Sequence, residues 1–210
     1  VKEMTTAQIN ALTSAQVNNL STDQVQALTT AQIRALTSSQ LNGMADATVQ
    51  ALTSTELQAL TTAQAQSLTA AMLNKLTTDQ VGVLSSTTVT ALNTTALSTL
   101  VVEQLNALTS TQVQALSSTQ VKALTTAQVA GMDEDRIEYL GSAQVQALTT
   151  AQFNALEEAA VQAMGTADVQ ALTSTQIGSM RTSDVNELST DQVQALTTVQ
   201  IRALTSGQLN

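Results

Sequence analysis

Aliphatic residues recur at alternating intervals of three and five along the chain, as at Ile33, Leu36, Leu41 and Met44. The repeating unit therefore has eight residues, seen cleanly at Thr29 to Leu36 as Thr-Thr-Ala-Gln-Ile-Arg-Ala-Leu, and it recurs with no insertion or deletion. Twenty-five complete copies run from Thr5 to Leu204, with half a copy at residues 1–4 and most of one at residues 205–210. Numbering the octad from Thr29, position eight is Leu or Met in all 25 copies, with Met at Met44, Met132, Met164 and Met180. Position five is Val, Ile or Leu except at Ala65 and Phe153. These two positions are the predicted core. Position seven is usually Ala, as at Ala27, Ala35, Ala115 and Ala195, which predicts a place where another backbone comes close. Positions two, three and six are polar or small and predict the outer face.

Position one is Thr or Ser in 17 copies, with Asn93 and Asp133 adding two more, and position four is most often Gln. That spacing is a capping box: the first side chain accepts from the backbone N–H three residues on, and the Gln reaches back to the cap's own N–H. The Leu before the cap faces the Val or Ile at the fourth helical position, which adds a hydrophobic staple. A helix start written every eight residues is also a helix stop every eight, because an N-cap residue has non-helical backbone angles.

An uninterrupted helix would carry eight residues about 80° past two full turns, so its apolar stripe would wind around the helix and no partner could follow it. A β-solenoid suits the Thr and Val content. Its strands, however, need a period of two, which apolar positions five, seven and eight break, while Ala, Gln and Leu favour helix. The pattern therefore predicts an all-α solenoid or superhelix of short helices, one per octad, with a β-solenoid as the alternative. Two helices per turn would require a reversal at essentially one residue, and four would enclose more space than Leu, Val and Ala fill at native density. Three octads per turn is the expectation. Residues 1–210 read as a single repeat domain, a segment of a longer array.

Composition narrows the chemistry. The chain has no Pro, Cys, His or Trp, one Tyr and one Phe, so aliphatic packing alone must build the core. Sixteen acidic against seven basic residues give a formal charge of -9, which opposes binding to nucleic acid or anionic membranes. No stretch approaches the 18 or so consecutive apolar residues of a membrane span, and Val1 to Leu12 lacks the regions of a signal peptide. Membrane insertion is not expected. With no His or Cys, only scattered carboxylates and few dispersed Gly, no catalytic, cofactor-binding or metal-ligating residue is assigned. The many Ser and Thr read as helix caps rather than nucleophiles, since none has a visible activating base.

Some copies break the pattern. Val101 replaces a cap with an apolar residue and predicts a weakened helix start. Asp133-Glu134-Asp135-Arg136-Ile137-Glu138-Tyr139-Leu140 concentrates charge. It fails as a calcium loop, because Ile137 and Glu138 stand where an oxygen ligand and a Gly belong. The expectation makes Asp133 an N-cap, with Glu134 and Asp135 complementing the helix dipole and Tyr139 widening its turn unless the ring lies outward. Glu157 and Glu158 again put acid at a helix start, whereas Arg181 puts a base where the dipole disfavours one.

Octads such as Leu196-Thr197-Thr198-Val199-Gln200-Ile201 and Leu148-Thr149-Thr150-Ala151-Gln152-Phe153 resemble tandem repeats of very large bacterial secreted or cell-surface proteins, including adhesin-like ones. The resemblance covers the whole chain. It implies an extracellular structural role, secreted or at the cell surface, and transfers no functional residue. The expected function is a non-enzymatic stalk or spacer, with two alternatives: a filament subunit joined end to end, or an adhesive scaffold for a glycan or protein. Expected partners are adjoining repeats, further copies through open ends, or a cell-surface protein or glycan.

Overall fold

The computed structural model describes residues 1–209, and each complete octad forms one helix of four to six residues. No strand occurs among the described residues, which overturns the β-solenoid alternative. The chain divides into two compact units, Val1–Ala115 and Leu116–Asn210. Both are built from the same octads.

Within an octad, the position-one residue is extended, as at Thr29 (φ -79°, ψ 158°), and its carbonyl accepts the first helical bond from the Ile33 N–H at 2.9 Å. The helix ends on a tightened turn, with the Leu36 N–H donating to the Ile33 carbonyl at 3.1 Å. Leu36 is then itself extended (φ -61°, ψ 133°), and Thr37 starts the next helix. The break therefore spans positions eight and one, one residue longer than the sequence spacing indicated. No described residue has positive φ. Two consecutive extended residues turn the chain without the left-handed conformation for which turns recruit Gly or Asn, which explains how octads lacking both still bend.

Each helix stacks on the one three octads away. In the first unit Thr6–Asn10 packs against Thr30–Ala35 and Ser14–Asn18 against Ser38–Asn42. In the second, Ser142–Ala147 packs against Thr166–Ala171, which packs in turn against Thr190–Ala195. Three octads make a turn, as expected. Positions five and eight face inward, so Val25, Ile33, Leu36, Val145 and Leu148 are all buried. Position seven is tight at Gly43, where a Cβ would lie 2.8 Å from the Ser14 side chain of the turn below, but Ala11 and Ala27 are exposed; a neighbouring backbone comes close instead at position six, where a Cβ on Gly82 or Gly178 would meet the Ala107 or Ala203 carbonyl at 3.2 or 3.0 Å.

Position six sits outside, but its longer side chains reach the neighbouring turn. Asn10 Nδ2 donates to the Ala35 carbonyl at 3.1 Å, and Asn42 Nδ2 to the Ser67 carbonyl at 2.8 Å. These bonds line the outer edge of the stack.

Candidate functional site

A helix of five residues leaves most of its backbone groups without an intrahelical partner: N–H groups at its start, carbonyls at its end. The capping boxes settle the first set. Gln40 Oε1 accepts from the Thr37 N–H at 2.7 Å, and Thr37 Oγ1 accepts from the Gln40 N–H at 3.1 Å. The second set is settled by the same glutamine. Gln40 Nε2 donates to the carbonyls of Ile9 at 2.8 Å and Leu12 at 2.7 Å, 31 and 28 residues earlier, in the joint one turn below.

The arrangement repeats in the same register. Gln64 Nε2 reaches the carbonyls of Ile33 and Leu36, both at 2.8 Å, and Gln112 those of Val81 at 2.9 Å and Leu84 at 2.7 Å. In the second unit Gln176 serves Val145 and Leu148, and Gln200 serves Val169 and Leu172. One buried amide thus closes the N-terminus of its own helix and the C-terminus of the helix below. Position four is a polar core position, with Gln32, Gln112 and Gln176 each only 2% exposed.

At Met72, Ala96 and Asp184, three of the octads that lack the glutamine, other side chains take over its bond to the turn below. Met72 offers no amide. The Thr69 N–H goes instead to Asn42 Oδ1 at 2.9 Å, and Lys75 Nζ donates to the Met44 carbonyl with Asp46 Oδ1 3.7 Å away. At Ala96, the cap Asn93 accepts the Ala96 N–H at 2.8 Å and sends Nδ2 down to the Leu68 carbonyl at 2.9 Å. At Asp184, Arg181 holds the carboxylate through Nε (3.1 and 2.9 Å) and donates from Nη2 to the Leu156 carbonyl at 2.7 Å. In all three octads the carbonyl served is the one 28 residues before position four. Arg181 is therefore recruited rather than merely tolerated against the dipole. Its hydrogen bond to Asp184 raises the guanidinium above its ordinary pKa, and the charges of Asp184 and Glu158 add to that shift against a desolvation penalty.

The other irregular copies behave differently. Val101 has no cap side chain, yet the helix Val102–Asn106 starts on schedule, because Gln104 Nε2 still ties it to the carbonyls of Leu73 and Leu76 at 3.0 and 2.8 Å. The expected weak start is covered by the turn below. Asp133 occupies the N-cap position but makes no side-chain cap bond. Tyr139 is half-buried, with the Arg136 guanidinium 5.8 Å from its ring centroid. Ala160 has only a methyl at position four. Beside it opens a cleft of about 460 Å³ lined by Met132, Asp133, Asp135 and Glu157. Among the described residues no three acidic groups converge closely enough to hold a metal ion.

The sequence profile of the ALTTAQ repeat matches residues 1–30, 102–134, 150–182 and 179–210, more than half of the chain. The chain belongs to the ALTTAQ repeat family. No curated protein matches it. Among the described residues no helix is long and apolar enough to cross a membrane.

The hexapeptide in the family's name occurs verbatim at Ala27–Gln32, Ala59–Gln64, Ala123–Gln128 and Ala147–Gln152. In structural terms it runs from position seven to position four, so it spells one joint: the small Ala, the inward-facing Leu, cap Thr and the double-acting Gln. Sequence reasoning assigned this Gln to the capping box and missed its second bond. The signal was present, because the box accepts Glu as readily as Gln, yet the ALTTAQ octads here carry Gln at position four in sixteen copies and Glu once, at Glu56.

Glu56 shows why. Its Oε2 accepts from the Thr53 N–H at 2.6 Å, completing the box, but its Oε1 is buried without a partner. The carbonyls 31 and 28 residues before it, of Val25 and Leu28, can receive nothing from a carboxylate oxygen. Glu56→Gln should therefore raise the stability of the first unit by about 1–3 kcal/mol. Urea titration measures it. An unchanged or lowered midpoint would show that the vertical amide bonds contribute nothing.

Proposed function

We propose that this chain is a structural spacer, a non-enzymatic array whose useful property is adjustable reach. The observation that carries the reading is the seam of position-four glutamines, which ties one turn to the next in a constant register and is patched at Met72, Ala96 and Asp184, where the glutamine is lost. Such a seam makes each turn depend on its nearest neighbours, so whole turns can be added or removed without redesigning a core. The resemblance of its octads to repeats of large secreted and surface proteins supports a place in an extracellular stalk.

The test is a deletion within the first unit. Removing Thr53 to Leu76 takes out one turn of three octads, and Leu52 then precedes Thr77 in the same octad phase. Spin labels at Thr6 and Thr78, both exposed, report the separation. It should fall by about 8–10 Å, one helix-packing distance, with helix content per residue unchanged. A fall of about 36 Å, expected if the deleted segment were one long helix, would defeat the reading. So would global unfolding of the shortened chain.

A further inference from the structure

Asn42–Gly43 is the one Asn-Gly step in the chain. In a flexible chain such a pair is chemically unstable, because the glycine nitrogen, with no Cβ beside it, can attack the side-chain amide carbon and expel ammonia. Each residue nevertheless has a packing reason to be here. A Cβ on Gly43 would lie 2.8 Å from the Ser14 side chain. Asn42 Oδ1 accepts from the Thr69 N–H at 2.9 Å and the Thr69 hydroxyl at 3.1 Å, in the octad where Met72 has replaced the glutamine, and Nδ2 donates to the Ser67 carbonyl at 2.8 Å. The same contacts keep the pair from reacting. Asn42 ends the helix Ser38–Asn42, and the Gly43 N–H points along that helix to the Ser39 carbonyl at 3.0 Å, away from the Asn42 side chain. The Gly43 carbonyl is held in turn by Asn18 Nδ2 at 2.8 Å. Gly43 is exposed, so water and base reach it, and conformation alone withholds the reaction.

We propose that Asn42 is a deamidation site gated by local opening of the first unit, so that its conversion is a covalent record of turns that have come apart. Opening frees the Asn42 backbone and side chain to rotate. The Gly43 amide then loses its proton to base, its nitrogen bonds to Asn42 Cγ, and the Cγ–Nδ2 bond breaks with Nδ2 leaving as ammonia after taking up a proton. Water opens the resulting succinimide ring at either carbonyl. Attack at one gives aspartate; attack at the other gives isoaspartate, whose backbone runs through the side chain and is one atom longer. Neither product closes the turn as before. Aspartate has no Nδ2 to donate to Ser67, and isoaspartate also lengthens an octad within an array that has no insertion anywhere along it. The site is independent of the spacer reading, since neither needs the other to hold.

The test holds the full chain at mildly alkaline pH, in native buffer and in urea above its unfolding midpoint, and locates ammonia loss by peptide mapping with mass spectrometry. Enzymatic methylation of isoaspartate confirms the product. In urea Asn42 should convert ahead of every other asparagine. In native buffer its conversion should be at least about tenfold slower, the factor imposed by an opening that costs about 1.4 kcal/mol. Asn18→Ala removes the bonds to the Gly43 carbonyl and from the Ala45 N–H, and should speed conversion in native buffer several-fold while leaving the rate in urea unchanged. If that variant does not fold, the unaltered chain in urea below its transition answers the same question, its rate rising with urea when opening is the gate. Equal rates in native buffer and urea, another asparagine converting first in urea, an unchanged native rate in folded Asn18→Ala, or a rate that stays flat below the transition would each overturn the proposal.

Discussion

Gln112→Leu should destabilise the first unit by about 3 kcal/mol or more, although leucine is an apolar residue of similar size entering a buried position. The side chain is 2% exposed and makes three bonds to backbone: it accepts from the Thr109 N–H at 2.7 Å and donates to the carbonyls of Val81 and Leu84. Leucine leaves the Thr109 N–H and the Leu84 carbonyl without that partner, at roughly 1–3 kcal/mol for each that water cannot reach, and strips the Val81 carbonyl of one of two bonds, the one from the Leu84 N–H remaining. The comparison is Thr109→Ala, which removes the cap bond to the Gln112 N–H and should cost about 1 kcal/mol. Urea titrations of both variants decide the matter. A leucine variant no less stable than the alanine one would mean that the turns are held by aliphatic packing alone and that the amide seam is incidental.

Phe153→Ala should cost the second unit about 3–5 kcal/mol, through lost burial and a cavity that short, tightly jointed helices cannot close. Phe153 is 1% exposed and ends the helix Thr150–Phe153, which lies between Thr126–Ala130 and Ser174–Ser179. Because each turn depends on its neighbours, the damage should be graded along the chain. Hydrogen exchange should show the largest loss of protection from about Thr125 to Met180, with little change near the N-terminus of the first unit. Uniform loss of protection along the chain would contradict nearest-neighbour stabilisation. A cost under 1 kcal/mol would contradict the close packing of position five.

The two variants probe different halves of one design. Phe153 stands for the apolar positions five and eight, whose job is visible in any single octad, whereas Gln112 acts on carbonyls 28 and 31 residues away. Lys75, Asn93 and Arg181 extend that contrast. Taken in its own octad, each looks like a departure from the pattern. Across a turn, each is a donor placed where a glutamine is absent.

By itself the sequence determined the local layer of this protein. An eight-residue period with a cap at position one and apolar residues at five and eight leaves one economical solution, short helices stacked with their aliphatic faces inward, because capping and hydrophobic periodicity act within a few residues of each other. It also weighed against a strand architecture, since Ile33 and Leu36 are three apart and would face opposite sides of a strand, although the β-solenoid stayed an alternative until the helices of the structure removed it. Only the tertiary structure decided how the ends of those helices are satisfied. Gln40 and Ile9 are 31 residues apart, and nothing in either octad marks the bond between them; it exists because 24 residues return the chain to the same place one turn higher. The same return made Arg181 a partner of Leu156 and left Ala160 beside an acid-lined cleft. Backbone groups at a helix end must find a partner wherever the fold brings one, and that place is a property of the turn, not of the octad.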